Sequence, residues 1–268
     1  MAASPYTPHD SAVPPSLPRA PGILPALALI LLYFLLQAMA SALLGFAAAM
    51  LEKWRHPQLS HAQIHQHAMD VLHRPDSNAM LVAIALPLIA LIMFWLVQRT
   101  WPLLWTRAAS PGFGLVAPTA PRWYLAALAI GLVMPPLGAW LTQLLAHGHE
   151  VTQNVQELSR DASSQLRLPL AIVAVTVGPM IEELMFRGVL LSALLQHLPR
   201  AAAIALCALL FGVVHLVGLD FQWYALPNLI LLAAALCWLR LASASLWPAI
   251  LAHALYNLFA LVALFVEA

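Results

Sequence analysis

The sequence predicts an all-α fold, a polytopic transmembrane helical bundle of seven or eight segments. Of its 268 residues, 62% are hydrophobic and only 9% charged, with a mean hydropathy of +0.84. A soluble domain of this size needs far more charge to cover its surface. The apolar residues also gather into runs close to the roughly 20 residues that a bilayer core requires. Charge, proline or histidine bounds each run, as at membrane interfaces.

Residues 1–22 hold six prolines among small polar residues, too little apolar area to order a segment, and are expected to form a flexible tail. The run from Ile23 to Leu51 follows. Its Ala38-Met39-Ala40 imitates a signal-peptide cleavage site, but the apolar character continues to Leu51, so an uncleaved anchor is expected. Further spans are expected at about 79–98, 123–146, 169–198, 200–219, 223–240 and 244–265. Gly178-Pro179 falls inside the 169–198 run. Proline removes a backbone donor and clashes with the preceding turn, which predicts one kinked helix or a short segment followed by a second helix. The expected organisation is the tail, an N-terminal membrane region over 23–168 and a catalytic helical core over 169–265.

The loop after the first span carries His56, His61, His65, His67 and His73. Within it Ser60 and Gln63 form a capping-box pattern, and Ile64, Ala68, Val71 and Leu72 share one face, as in an interfacial amphipathic helix. His61 and His65 have the i, i+4 spacing of a metal pair, yet spacing fixes no further ligand. His149-Glu150 opens like a zincin helix but lacks the second histidine. Arg99, Arg107 and Arg122 lie in a loop without acids, which favours a cytoplasmic placement of that loop and, by alternation, of the tail. The margin is one: Arg19, Arg99, Arg107, Arg122, Arg200 and Arg240 fall inside, against Lys53, Arg55, Arg74, Arg160 and Arg167 outside. The expected location is the cytoplasmic (inner) membrane, as an integral multi-pass protein.

Net charge is +1, from 12 Lys+Arg against 11 Asp+Glu, with no basic run of the kind that nucleic acid requires. The expected partners are therefore the lipid bilayer and a peptide or protein substrate in or at the membrane. Cys207 and Cys237 lie in apolar runs without a C-x-x-C pair and read as packing residues.

Ionisable groups inside apolar runs are costly and usually functional, and Glu182, Glu183 and Arg187 are three of them. On a helix, Glu183 and Arg187 share a face in the favourable order for an ion pair, while Glu182 points about 100° away. The arginine can hold one carboxylate ionised and leave the other to act on water as a general base. Phe211 and His215 form a second helix-spaced pair, and His253 with Asn257 a third. Each alone could be a structural clamp between helices. Together they bring groups suited to deprotonating water, orienting it and stabilising an oxyanion, so an intramembrane hydrolase is expected.

These motifs resemble the CAAX protease and bacteriocin-processing (CPBP, or Abi) family of intramembrane proteases, which includes the type II CAAX prenyl endopeptidase. The resemblance rests on Glu182-Glu183-x-x-x-Arg187, Phe211-x-x-x-His215 and His253-x-x-x-Asn257, supported by Gly188 and by Ser245-Leu246-Trp247-Pro248-Ala249-Ile250. It implies that Glu182 and His215 activate the attacking water, that His253 and Asn257 stabilise the oxyanion, and that Glu183 and Arg187 organise the site. The 223–240 span lacks the glycines often seen in the family's corresponding helix. No metal cofactor is expected, with Zn²⁺ as the alternative, since two histidines and a glutamate can also form a catalytic zinc site. The competing classes are a non-catalytic immunity or interaction protein and a proton-coupled transporter.

Overall fold

The computed structural model describes residues 20–148 and 161–267, the side chains of 263–267 excepted. Most of the proline-rich tail and the His149-Glu150 motif lie outside the described residues. Every regular element among the described residues is helical. The order is α1 (Ile23–Arg55), α2 (His61–His73), α3 (Pro75–Thr100), α4 (Arg122–Ala146), α5 (Ser164–Val175), α6 (Val177–Glu183), a π-helical stretch (Leu184–Leu190), α7 (Leu191–Leu194), α8 (Arg200–Val214), α9 (Leu226–Ser243) and α10 (Trp247–Glu267). Each expected span has its helix, with α5 to α7 forming the single kinked span Ser164–Leu194. Among the described residues five spans are long and apolar enough to cross a membrane, while α8 and the Trp247–Val262 part of α10 are shorter apolar helices. The chain is an integral, multi-pass membrane protein.

Large apolar side chains also point outward. Leu31, Leu35 and Phe46 of α1 and Ile84, Leu91 and Trp95 of α3 are exposed, the faces that hydrocarbon rather than water covers in a spanning helix. α1 runs unbroken through Ala38, Met39 and Ala40. The kink falls at Thr176, whose N–H and hydroxyl both donate to Ile172 O, at 3.0 and 2.6 Å. Pro179, three residues on, has no N–H for the Val175 carbonyl, and this missing bond separates α5 from α6.

Lipid tails are as apolar as leucine, so close backbone approach and interhelical hydrogen bonds hold such bundles together. Although α9 has no glycine of its own, its partners provide them. Gly138 of α4 lies so near Asn228 that an added Cβ would overlap the amide, and a Cβ at Gly212 of α8 would stand 2.8 Å from Ile230 Cγ1. Asn228 Nδ2 also donates to Tyr256 Oη at 2.7 Å, tying α9 to α10.

The loop between α3 and α4 sends its 112–114 stretch inward while much of the rest stays exposed. Phe113 is fully buried, and its N–H donates to Leu104 O at 2.7 Å. Arg240 of α9 donates to Ala108 O and Gly112 O at 3.1 and 2.6 Å. Arg240 is only 2% exposed, which corrects its reading as a free loop charge. Without it the charge count is five against five, and the positive-inside rule gives no orientation.

In α2 the capping box forms, with Ser60 N–H donating to Gln63 Oε1 at 3.0 Å and Gln63 N–H to Ser60 Oγ at 3.4 Å. Ile64 and Ala68 are buried, and Leu72 packs against Gly45 of α1, where a Cβ would come within 2.9 Å of its Cδ1. His61 and His65 are exposed. Among the described residues no three His, Cys, Asp or Glu side chains gather to hold a metal ion.

Gly138→Val is expected to destabilise the bundle by about 1–3 kcal/mol, the usual cost of overpacking. A lower midpoint of thermal unfolding in detergent would show it. An unchanged midpoint would mean that α4 and α9 do not need this close approach.

Candidate active site

The carboxylates sit where α6 passes into the π-helical stretch. There the Leu191 N–H bonds to Phe186 O, five residues back, a widened turn that recurs at functional sites. Phe186 O also accepts from the Cys207 thiol at 3.4 Å. Gly188 faces the buried Phe113, with its would-be Cβ 3.5 Å from the Phe113 Cβ, so the inward loop backs the widened turn. Cys207 and Cys237 are both buried and free, in keeping with packing roles.

Glu183 and Arg187 are 0% and 1% exposed. Arg187 Nη1 donates to Glu183 Oε1 at 2.8 Å, a charge-assisted bond of the stronger kind. The guanidinium carbon lies 4.3 Å from the centre of the Phe211 ring, a cation–π contact strengthened by exclusion from water. Phe211 packs edge-on against Phe186 at 5.1 Å, joining α8 to the widened turn. Its second role, over the arginine, was not legible.

His253 of α10 places Nδ1 2.9 Å from the same Glu183 Oε1. A carboxylate held by arginine can only accept, so Nδ1 carries the hydrogen, and in the neutral imidazole Nε2 then keeps a lone pair. The same logic applies to His215, which caps the end of α8. Its Nδ1 lies 2.6 Å from Phe211 O, and a carbonyl accepts, so here too Nε2 is the free acceptor. Both Nε2 atoms face Glu182 Oε2, at 3.9 Å from His215 and 3.8 Å from His253. These separations are too long for direct hydrogen bonds and suit a bridging water.

Glu182 is 20% exposed at its side chain and borders two cavities. One, of ≈ 250 Å³, also reaches Phe211, His215, His253 and Asn257. The other, of ≈ 640 Å³, opens between α1 and α3. Asn257 donates one amide hydrogen to Ala174 O at 2.9 Å, next to the Thr176 break, which leaves the second for the cavity. The structure thus brings all six predicted residues together. It adds Tyr33 of α1, buried and bordering the larger cavity beside Glu182, which the motifs missed. The pattern Tyr33, Gln37, Ser41, spaced by four in an apolar run, was the signal that could have found it.

The donor set of Glu182, His215 and His253 is chemically that of a three-ligand zinc site. Its spacing is wider. Two ligand atoms on one tetrahedral zinc stand about 3.3 Å apart, against the 3.8–3.9 Å found here.

Arg187→Ala is expected to cost about 3–5 kcal/mol, because it strands the buried Glu183 charge. Pairing it with Glu183→Gln should restore part of the thermal stability. Equal stability of Arg187→Ala and the parent protein would remove the ion pair from the account.

Residues 164–259 match the family model described as Rce1-like, type II CAAX prenyl endopeptidase. No curated protein and no solved structure matches the chain. The matched stretch contains Glu182, Glu183, Arg187, Phe211, His215, His253 and Asn257, so this part of the chain is similar to that family over the residues that carry the three motifs.

Proposed function

We propose that this protein is an intramembrane endopeptidase that hydrolyses peptide bonds with water activated by Glu182, without a metal. One observation carries the reading. Two imidazole nitrogens, each left as an acceptor by the partner of its other nitrogen, converge with a part-exposed carboxylate on one small cavity.

A water among these three acceptors can donate its hydrogens to Glu182 and His215 and turn an oxygen lone pair toward a scissile carbonyl. Glu182 takes the proton as the oxygen attacks, and can return it to the leaving amine. His253 has the Glu183–Arg187 pair behind Nδ1, as metal-ligating and catalytic histidines have a carboxylate behind them. Its Nε2, an acceptor at rest, takes up a proton from solvent and then donates it in a hydrogen bond to the developing oxyanion, helped by the second amide hydrogen of Asn257. No acyl-enzyme forms.

The substrate class is a membrane-associated peptide, lipidated or small and secreted, processed at the cytoplasmic (inner) membrane. The catalytic core is placed on 169–265, with the remaining helices shaping access to it.

Glu182→Gln should lower cleavage of a co-expressed membrane substrate by at least about 10²-fold, the low end of general-base effects, while the protein stays inserted and folded. Full activity in that variant would overturn the assignment. Cleavage by purified protein is further expected to survive chelator treatment, with no stoichiometric zinc by elemental analysis. Loss on chelation and recovery with Zn²⁺ would replace the metal-free mechanism with a zinc one.

A further inference from the structure

The larger cavity, of ≈ 640 Å³, has two unlike walls. On α1, Tyr33, Gln37 and Ser41 line it at i, i+4 and i+8, so they form one polar stripe down one face of the helix. On α3, which faces them, Leu81, Val82, Ala85, Leu86 and Ile89 line it, with Asn78 at the start of the same helix, and Asp161 also borders the cavity. His73 and Pro75, at the α2–α3 turn, lie at one end. Tyr33 and Glu182 lie at the other.

A polar stripe in a spanning helix has to be accounted for, because hydroxyls and amides are expensive in hydrocarbon. The hydroxyls of Thr100 and Thr176 turn back on carbonyls four residues earlier, at 2.7 and 2.6 Å. Ser41 makes no such bond among the described residues, and Gln37, whose bond to Tyr33 O is a long 3.5 Å, also meets the Tyr33 side chain in a hydrogen bond, which leaves part of its amide free. These groups face the cavity with hydrogen-bonding capacity to spare. Eight residues of helix span about 12 Å, which an extended peptide covers in about three to four residues at 3.3 Å each.

We propose that this cavity is a groove for an extended peptide strand. The strand's backbone amides pair with Tyr33, Gln37 and Ser41, and its apolar side chains lie against Leu81, Val82, Ala85, Leu86 and Ile89. It enters at the His73–Pro75 turn and reaches Glu182 with the bond to be cut. The assignment rests on the reading of Glu182 as the base. It makes α1, which lies outside the Rce1-like stretch, a source of sequence specificity, selecting a run of apolar side chains on an unbranched backbone.

The test is photo-crosslinking in detergent, with the Glu182→Gln protein and a synthetic peptide of alternating leucine and alanine that carries a central photo-leucine. The label is expected on α3 between Leu81 and Ile89. Adding Gln37→Leu and Ser41→Val should cut labelling about tenfold, the value of one or two lost hydrogen bonds. N-methylating the peptide backbone should cut it as much without the added substitutions and little further with them. Label spread over lipid-facing residues, or equal labelling by the N-methylated peptide, overturns the groove, and the peptide arm decides even if the substituted protein fails to fold. Labelling on α3 without hydrolysis by the parent protein would keep the groove and remove the hydrolase reading. Hydrolysis without labelling on α3 would do the reverse.

Discussion

The structure depends on a buried charge that is neutralised where it stands. Arg187 and Glu183 are both removed from water, a state that costs several kcal/mol per ion unless each finds its counter-charge and hydrogen bonds. Arg187 finds a carboxylate oxygen, a backbone carbonyl on α9 and the face of Phe211. Glu183 adds His253 on α10. One ion pair thereby fixes the positions of three helices around the widened turn, and their side chains can face the cavity only in this arrangement.

The same pair divides labour between two adjacent glutamates. Glu183 binds an arginine and an imidazole through Oε1, leaves Oε2 buried without a hydrogen-bond partner, and stays in the interior. Glu182, one residue earlier, keeps part of its surface open and faces the two imidazole Nε2 atoms at distances that admit a solvent molecule. In a bilayer the difference is large. A paired carboxylate can sit permanently in a dry site, whereas an unpaired one stays only where a water-filled cavity reaches it. The cavities on both sides of Glu182 meet that condition.

Support for this centre comes from parts of the chain far from it in sequence. The loop between α3 and α4 is pinned by Arg240 and places Phe113 against Gly188. α1 contributes Tyr33 beside Glu182. The N-terminal half, which carries none of the three motifs, therefore supplies a wall of the chamber as well as anchors in lipid.

The sequence by itself determined the helical class, the positions of the spans, the kink near Pro179 and the chemical types gathered at the site. These follow from hydropathy over about 20 residues, from the missing proline N–H and from i, i+4 spacing, all of which are local. Tertiary structure alone decided the rest. The π-helical turn at Leu184–Leu190, the burial of Arg240, the cation–π contact of Phe211 and the histidine tautomers depend on which helix lies opposite. A single chain pattern does not record that, because lipid-facing and bundle-facing sides of a spanning helix are equally apolar.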